Sequence, residues 1–178
     1  MPKRSAGLLL FRRRGGRPEV LLVHPGGPFW ARKDEGAWGL PKGEIGEGED
    51  ALTAARREFQ EETGFALEPG LSMIALGSFR QSSAKVVEVF AVEGDADPAT
   101  LVSNTFTMEW PPRSGRMQSF PEADRAAWFA LNEAETKIHK GQVPILAALE
   151  ARLRSDAAGD EPGLRRPPSP RSETRGRG

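Results

Sequence analysis

Three glutamates, Glu58, Glu61 and Glu62, lie close together in the first half of the chain. If residues 50–63 form a helix, their spacing of i, i+3 and i+4 directs all three carboxylates from one face of it. Like charges that converge in this way are stabilised by a cation between them. Mg²⁺ and Mn²⁺ prefer oxygen ligands and often share them with the phosphates of a substrate. The spacing therefore predicts a site for a hard divalent cation.

The residues around these glutamates predict the helix that would hold them. Phe59, with Ala55 one turn and Leu52 two turns earlier, falls on a neighbouring stripe that we expect to be buried. Gly64 follows the last periodic residue, where a left-handed cap favours glycine. The preceding residues 40–44 carry glycine and proline at the density of a fixed turn. For an isolated E-x-x-E-E pattern, the alternative is an ordinary solvated helix with Glu and Arg pairs.

Residues 43–65, GEIGEGEDALTAARREFQEETGF, resemble the signature box of the Nudix hydrolase family. The resemblance extends beyond the three glutamates to Gly43, Glu49, Arg57 and Gly64 at their fixed distances. It implies an α/β fold in which a mixed sheet lies between helices. It also implies a pyrophosphohydrolase that uses Mg²⁺ or Mn²⁺ to cleave a nucleoside diphosphate linked to another group, by attack of water on phosphorus.

The resemblance assigns roles to residues of the box. Glu58, Glu61 and Glu62 would bind the metal together with the carbonyl oxygen of Gly43. Either Glu58 or Glu62 would act as the base for the attacking water, a role that varies within the family. We expect Arg57 to orient Glu58 or Glu61 through charge-assisted hydrogen bonds, because it precedes them by one and four residues.

Other carboxylates are candidates for supporting roles. Glu49 lies two turns before the cluster and is expected to orient a ligand or to be an additional ligand. Many family members add a carboxylate just before a late strand, and Glu122, six residues before Trp128, resembles that arrangement. We favour Glu122 over Glu109 as a further metal ligand or base. The alternative is a glutamate at the rim with no role.

The stretch W-G-L-P-K-G at residues 38–43 resembles the lead-in of family members that act on dinucleoside polyphosphates, nucleotides or capped RNA. Lys42 would then bind a phosphate oxygen as a point charge, and Lys85 and Arg113 are further candidates. Trp38 is a candidate for stacking on a base, with core packing as the alternative. We also expect residues 104–113 to form a loop that faces the substrate.

The substrate is less well defined than the reaction. The chain has no tyrosine, whereas hydrolases of diadenosine tetraphosphate commonly carry one after the box. Gln81, Ser82 and Ser83 stand where ADP-ribose hydrolases carry a proline. A nucleotide or a dinucleoside polyphosphate is the favoured substrate class. The alternatives are an RNA 5′ end and a catalytically weak module that senses a nucleotide. His24 and His139 are expected to be structural or exposed.

The chain of 178 residues suits one domain, and its hydrophobic pattern predicts a mixed α/β architecture. We predict a domain over residues 1–154 and a disordered tail over 155–178, rich in proline, arginine and serine. Beyond the central helix, strands are predicted at 6–12, 19–24, 72–79, 86–93 and 126–131, and helices at 132–137 and 143–154.

The resemblance implies a small-molecule nucleotide as the partner, and the charge balance agrees with it. Basic and acidic residues number 25 each, which does not favour nucleic acid or an anionic membrane, although the arginines of the tail keep nucleic acid as an alternative. The absence of cysteine excludes disulfides and thiolate metal ligands. No apolar run has the length of a signal-peptide core or a transmembrane helix, so we expect a cytoplasmic protein. The oligomeric state is left open.

Overall fold

The computed structural model describes residues 2–159, within which eight strands and three α-helices are found. The strands are β1 (Lys3–Arg14), β2 (Arg17–Pro25), β3 (Lys42–Glu44), β4 (Met73–Ser82), β5 (Lys85–Glu93), β6 (Thr105–Glu109), β7 (Met117–Pro121) and β8 (Ala123–Ala130). The helices are α1 (Ala51–Thr63), α2 (Leu131–Lys137) and α3 (Val143–Gly159).

Six of the strands form one mixed sheet in the order β4-β5-β1-β2-β8, with β3 paired to β1. The central strand β1 runs parallel to β5 and antiparallel to β2 and β3. Its first half pairs with β3, where Ala6 lies opposite Gly43, and its second half pairs with β2 from Phe11 onward. The short strand β3 is thereby fixed to the start of β1, which positions Gly43 for the site described below.

The side chains of β1 alternate between two apolar layers, as expected for a strand with both faces buried. Leu8 and Leu10 pack in the layer that contains Phe59 of α1. Leu9 and Phe11 pack in the opposite layer, which contains the buried residues of α3. The sheet therefore lies between α1 on one side and α3 on the other. This confirms the predicted α/β fold with a mixed sheet between helices.

The helix α1 ends at Gly64 as predicted, and it begins one residue after the predicted start, with Asp50 as its N-cap. The side chain of Asp50 accepts a hydrogen bond from the amide of Thr53, and Gly64 ends the helix in the left-handed region at a φ of 71°. Ala55 and Phe59 are buried as predicted, whereas Leu52 is only partly buried. One stripe of α1 thus packs against the sheet while the adjoining face carries the glutamates.

Three strands were not predicted, several strand ends shift by one to three residues, and one helix is longer than predicted. Residues 104–113, predicted as a loop, include β6, which pairs with β7 as a separate hairpin because Phe106 packs on Phe120 across it. The strand β3 was also not predicted. Helix α3 continues past the predicted domain end to Gly159, and i,i+4 ion pairs such as Arg152 to Asp156 support its last turns. The rest of the predicted tail lies outside the described residues.

Within residues 2–159, no helix has the length and hydrophobicity needed to cross a membrane.

Candidate active site

Arg57 is the centre of the hydrogen-bond network on the polar face of α1. Its guanidinium donates to both carboxylate oxygens of Glu49 at 2.9 Å, to Glu58 at 2.9 Å and to Glu61 at 3.2 Å. It also donates to the backbone carbonyl of Glu44 at 3.0 Å. One side chain therefore fixes the directions of three glutamates and ties α1 to the end of β3. These contacts are the ones expected of a residue that orients Glu58 or Glu61.

Gly43 lies against the carboxylate of Glu58. A β-carbon at position 43 would come within 2.1 Å of the Glu58 Cδ atom and 2.3 Å of each of its oxygens. No residue larger than glycine fits at position 43 while Glu58 keeps this position. The glycine is needed for close approach rather than for an unusual backbone angle, since residue 43 is not among those with positive φ.

Glu62 has a strongly raised pKa. Burial raises its pKa to about 8, and the negative charges of Glu58 and Glu122 add to the shift, while Lys42 opposes it. Burial also raises the pKa of Glu58 above its ordinary value, against the opposing effect of Arg57. The carboxylates of Glu58, Glu62 and Glu122 therefore share a partly desolvated space, in which a positive charge would stabilise their ionised forms.

Glu122 reaches this space through a chain of backbone hydrogen bonds. The amide of Asn104 donates to the carbonyl of Glu61 at 2.8 Å, and the amide of Glu122 donates to the carbonyl of Asn104 at 2.7 Å. Asn104 thus links the end of α1 to the residue between β7 and β8. The other candidate, Glu109, lies on the β6–β7 hairpin with its carboxylate 3.5 Å from the amide of Gly115. The fold therefore brings Glu122, rather than Glu109, next to Glu62.

A cleft of about 580 Å³ opens beside these residues. Glu62 and Glu122 line it together with two cations, Lys42 and Lys85, of which Lys42 has a pKa lowered by burial. Arg113 is not brought to the cleft, because it lies exposed between β6 and β7. The other lining residues are Val23, Pro25, Trp30, Ala37, Trp38, Gly39, Leu40, Gln81, Ser82, His139 and Gln142.

Trp38 lines the cleft but has no free ring face for a base. Only 4% of the residue is exposed, its ring packs edge-on against His24 and Phe129, and its Nε1 atom donates to Asp34 at 2.8 Å. The expectation that Trp38 stacks on the substrate is therefore wrong, and core packing is its role. The partly buried Trp30, which also lines the cleft, is the tryptophan placed to contact a ligand.

Several residues of the cleft were not predicted from the sequence. Gln142 is buried, and its Oε1 atom accepts a hydrogen bond from the amide of Leu40 at 3.0 Å, which holds the loop that leads into β3. Gln81 and His139 enter the cleft from β4 and from the turn before α3. These residues are distant from the box in sequence and form no motif with it. Only their tertiary placement relates them to the site.

The two histidines differ in environment. His24 is fully buried, with Nδ1 2.7 Å from the carboxylate of Asp124 and Nε2 2.6 Å from the carbonyl of Lys33. It therefore connects β8 to the loop that carries Trp30, which is a structural role. His139 is exposed and lines the cleft.

The donor chemistry of the site fits a hard divalent cation. The converging side chains, Glu58, Glu62 and Glu122, offer only carboxylate oxygens. Burial, with the charges of Glu58 and Glu122, raises the pKa of Glu62, and a cation beside it would oppose that shift. In the part of the chain that the structure describes, no three acidic or histidine side chains enclose a cation position as they stand. The residues present thus supply suitable ligands, while their side chains are not already arranged as a closed coordination shell.

Comparison with known proteins gives a consistent family assignment. A family model described as the NUDIX domain matches residues 1–149. An RNA pyrophosphohydrolase from Bartonella henselae is 41% identical over 66 residues, which cover 35% of each chain. Nudix hydrolase 7 from Arabidopsis thaliana is 36% identical over 84 residues, or 47% of this chain and 27% of the relative. The chain therefore matches only about a third or less of these relatives' lengths.

Solved structures agree on the fold. The crystal structure of the C. elegans Ap4A hydrolase superimposes with a TM-score of 0.55, covering 86% of this chain and 99% of that one at 22% sequence identity. At this identity the likeness concerns the arrangement of the sheet and helices.

Proposed function

This chain belongs to the Nudix family, and we propose that it is a divalent-metal-dependent pyrophosphohydrolase that acts on a nucleotide or a dinucleoside polyphosphate. The observation that carries the proposal is the cleft in which Glu62 and Glu122 lie with Lys42 and Lys85. Carboxylates suit a metal ion and lysines suit phosphate oxygens, so the cleft offers both kinds of contact that a pyrophosphate needs.

The metal would be held by residues from three parts of the chain. Glu58, Glu61 and Glu62 of α1 would supply carboxylates, Gly43 of β3 its carbonyl oxygen, and Glu122 a further carboxylate. A Mg²⁺ or Mn²⁺ ion bound there would neutralise charge on the phosphoryl oxygens and lower the pKa of an attacking water. Support comes from the close contact between Gly43 and Glu58 and from the raised pKa of Glu62.

The protein's own groups would position the substrate and take up a proton. Lys42 and Lys85 would bind phosphate oxygens of the pyrophosphate. Glu58 or Glu62 would accept the proton of the attacking water. Burial raises the pKa of Glu62 to about 8, which suits a base that works near neutral pH, and burial also raises the pKa of Glu58. Arg57 would hold Glu58 and Glu61 in place without touching the substrate, since its nitrogens already donate to three glutamates and a carbonyl.

A substrate panel tests this function. Wild-type protein is incubated with Mg²⁺ and nucleoside triphosphates or diadenosine polyphosphates, and the release of phosphate, pyrophosphate and nucleotide is followed. Glu61→Gln and Glu62→Gln should lose activity, whereas Glu68→Gln, at an exposed position after α1, should retain it. Equal turnover by the wild type and both cluster variants would overturn the proposal. Tight nucleotide binding without metal or turnover would favour a sensing module.

An RNA 5′ end is a second candidate substrate, and a feature of the β6–β7 hairpin favours it. Phe29, which is 60% exposed, packs edge-on against Trp110 at 5.4 Å between ring centres, and Arg113 and Arg116 follow Trp110 on the same hairpin. Aromatic rings beside arginines suit stacked bases and phosphates of a single strand. The Bartonella relative carries the name RNA pyrophosphohydrolase.

The two substrate classes are separated by comparing triphosphorylated RNA with diadenosine polyphosphates. If RNA is the substrate, replacing both Arg113 and Arg116 with glutamine should lower turnover of RNA and leave that of the small molecules unchanged. Removing residues 160–178 tests whether the arginines of the tail contribute. Equal loss on both substrates would argue against a specific RNA surface.

A further inference from the structure

Both peptide groups that flank Glu122 are held by other parts of the chain. The amide of Glu122 donates to the carbonyl of Asn104 at 2.7 Å, and its carbonyl accepts a hydrogen bond from the amide of Gly26 at 3.0 Å. The next amide, that of Ala123, donates to the side-chain oxygen of Ser103 at 2.9 Å. Because each peptide group is planar and rigid, these bonds fix the direction in which the Glu122 side chain leaves the backbone.

Gly26 also lies in close contact with the first of these peptide groups. A β-carbon at position 26 would come within 1.9 Å of the backbone oxygen of Pro121 and 2.9 Å of its carbonyl carbon. A larger residue would therefore displace the rigid peptide that joins Pro121 to Glu122. Pro121 pairs with Thr105 across the β6–β7 hairpin, so this peptide is held from that side as well. Position 26 thus requires glycine because of its closeness to the backbone beside Glu122.

Ser103 supports the same segment from the other end of the hairpin. Its hydroxyl accepts the bond from Ala123 and donates to the carbonyl of Asn104 at 3.0 Å. The amide of Asn104 donates in turn to the carbonyl of Glu61, in the last turn of α1. Carbonyl groups in the last turn of a helix lack intrahelical partners, so this bond joins the support to the helix that carries Glu62.

We propose that Gly26 and Ser103 are positioning residues of the metal site, which hold the backbone of Glu122 so that its carboxylate binds the same ion as Glu62. The two carboxylates line one cleft. In this role Gly26 and Ser103 touch neither the ion nor the substrate and act through Glu122. Residues that orient a metal ligand in this way typically contribute about 10–100-fold to metal affinity. This inference rests on the proposed function, because it takes Glu122 as a ligand of the metal.

The test measures Mn²⁺ affinity by electron paramagnetic resonance of the free ion, on the full chain without substrate. Gly26→Ala should weaken binding about tenfold or more, because it displaces the peptide of Glu122. Ser103→Ala should weaken binding by a smaller factor, and Ser103→Thr, which keeps the hydroxyl, should retain the wild-type affinity. The matched controls, which should bind Mn²⁺ like the wild type, are Gly94→Ala, whose methyl would meet only the end of one leucine side chain, and Ser83→Ala at an exposed turn.

A second set of titrations in the Glu122→Gln background separates positioning from a general loss of structure. If Gly26 and Ser103 act through Glu122, neither alanine variant should cause a further loss of Mn²⁺ affinity in that background. Additive losses, or wild-type affinity in both single variants, would overturn the positioning role and leave the metal site intact. If Gly26→Ala does not fold, the two Ser103→Ala measurements decide alone.

The same titrations distinguish failure of this inference from failure of the proposed function. Mn²⁺ binding that is lost in Glu62→Gln but unchanged in Glu122→Gln would show that Glu122 is not a ligand. That result would overturn the positioning role and keep the metal site. A wild type that binds no Mn²⁺ would overturn the proposed function and the positioning role with it.

Discussion

The α-carbon of Gly43 lies directly against the carboxylate of Glu58, so that a methyl group at position 43 would overlap the Glu58 Cδ atom at 2.1 Å. This contact joins the short strand β3 to the polar face of α1. It explains why β3 needs a glycine at this position, independently of any contact made by its carbonyl oxygen. The Glu58 carboxylate can therefore occupy this position only because Gly43 has no side chain.

Gly43→Ala should therefore displace the Glu58 carboxylate and lower kcat/KM about 100-fold, the cost expected when a reacting group moves by about 1 Å. The fold should persist, because rotating one partly buried glutamate relieves the clash. Gly94→Ala is the matched control, since its methyl would meet only the Cδ1 atom of Leu10 at 3.1 Å. Full activity in Gly43→Ala would show that the position of Glu58 does not matter.

The box could be predicted from sequence because its determinants are local. The cap at Asp50, the buried stripe through Phe59 and the terminal Gly64 lie within one helix and its ends, where side-chain periodicity is informative. The β6–β7 hairpin was missed because it pairs apart from the main sheet and its side chains are largely exposed, so little burial pattern marks it.

Other parts of the site depend on tertiary contacts that no spacing reveals. The bulge at Gln81 arises from the register between β4 and β5, and Glu122 reaches Glu62 through the backbone of Asn104. The sequence predicts that Trp38 stacks on the substrate, because the sequence alone does not distinguish an aromatic residue in an exposed loop from one in the core. Its burial against Phe129 corrects that assignment.

The pair between Arg57 and Glu49 should make stability dependent on acid pH. Hydrogen bonds from Arg57, with a further one from the amide of Gly46, lower the pKa of Glu49 from 4.5 to about 2. A carboxylate whose pKa is lowered on folding stabilises the folded state at pH values above its ordinary pKa. This stabilisation is lost as the pH falls from about 4.5 to 2. Glu49→Gln should be less stable at pH 7 and should lose less free energy of unfolding across that range.

Urea unfolding at a series of pH values measures this dependence. The exposed Glu47→Gln is the control and should follow the wild-type profile. Parallel profiles for the wild type and Glu49→Gln would contradict a lowered pKa at Glu49.

Divalent metal should stabilise the wild type and not Glu62→Gln. In chelator at pH 8.5, the variant should be at least as stable as the wild type, because it removes a charge that burial, Glu58 and Glu122 disfavour. With Mg²⁺ at 100 times its Kd, the wild type should gain about 2.7 kcal/mol of unfolding free energy. Thermal unfolding with and without Mg²⁺ measures both effects. Equal stabilisation of the two proteins would place the metal elsewhere.

His24→Leu should lower the free energy of unfolding by about 1–3 kcal/mol, because it leaves the carbonyl of Lys33 without its buried donor. The loop that carries Trp30 should loosen, which would raise KM more than it lowers kcat. Glu135→Leu is the control for stability, since that residue is exposed on α2. Unfolding in urea and steady-state kinetics measure the two effects, and an unchanged midpoint in His24→Leu would show that the bond to Lys33 does not stabilise the fold.

The central claim, that carboxylates of α1 act through a divalent cation on a phosphoanhydride, is tested most directly by the rate of nucleotide hydrolysis as a function of Mg²⁺ concentration. The rate of the wild type should rise from near zero in chelator to saturation. Glu62→Gln should remain about 100-fold or more below it at every concentration. A wild type that keeps its full rate in chelator, or a Glu62→Gln variant that reaches the same saturating rate, would contradict the claim.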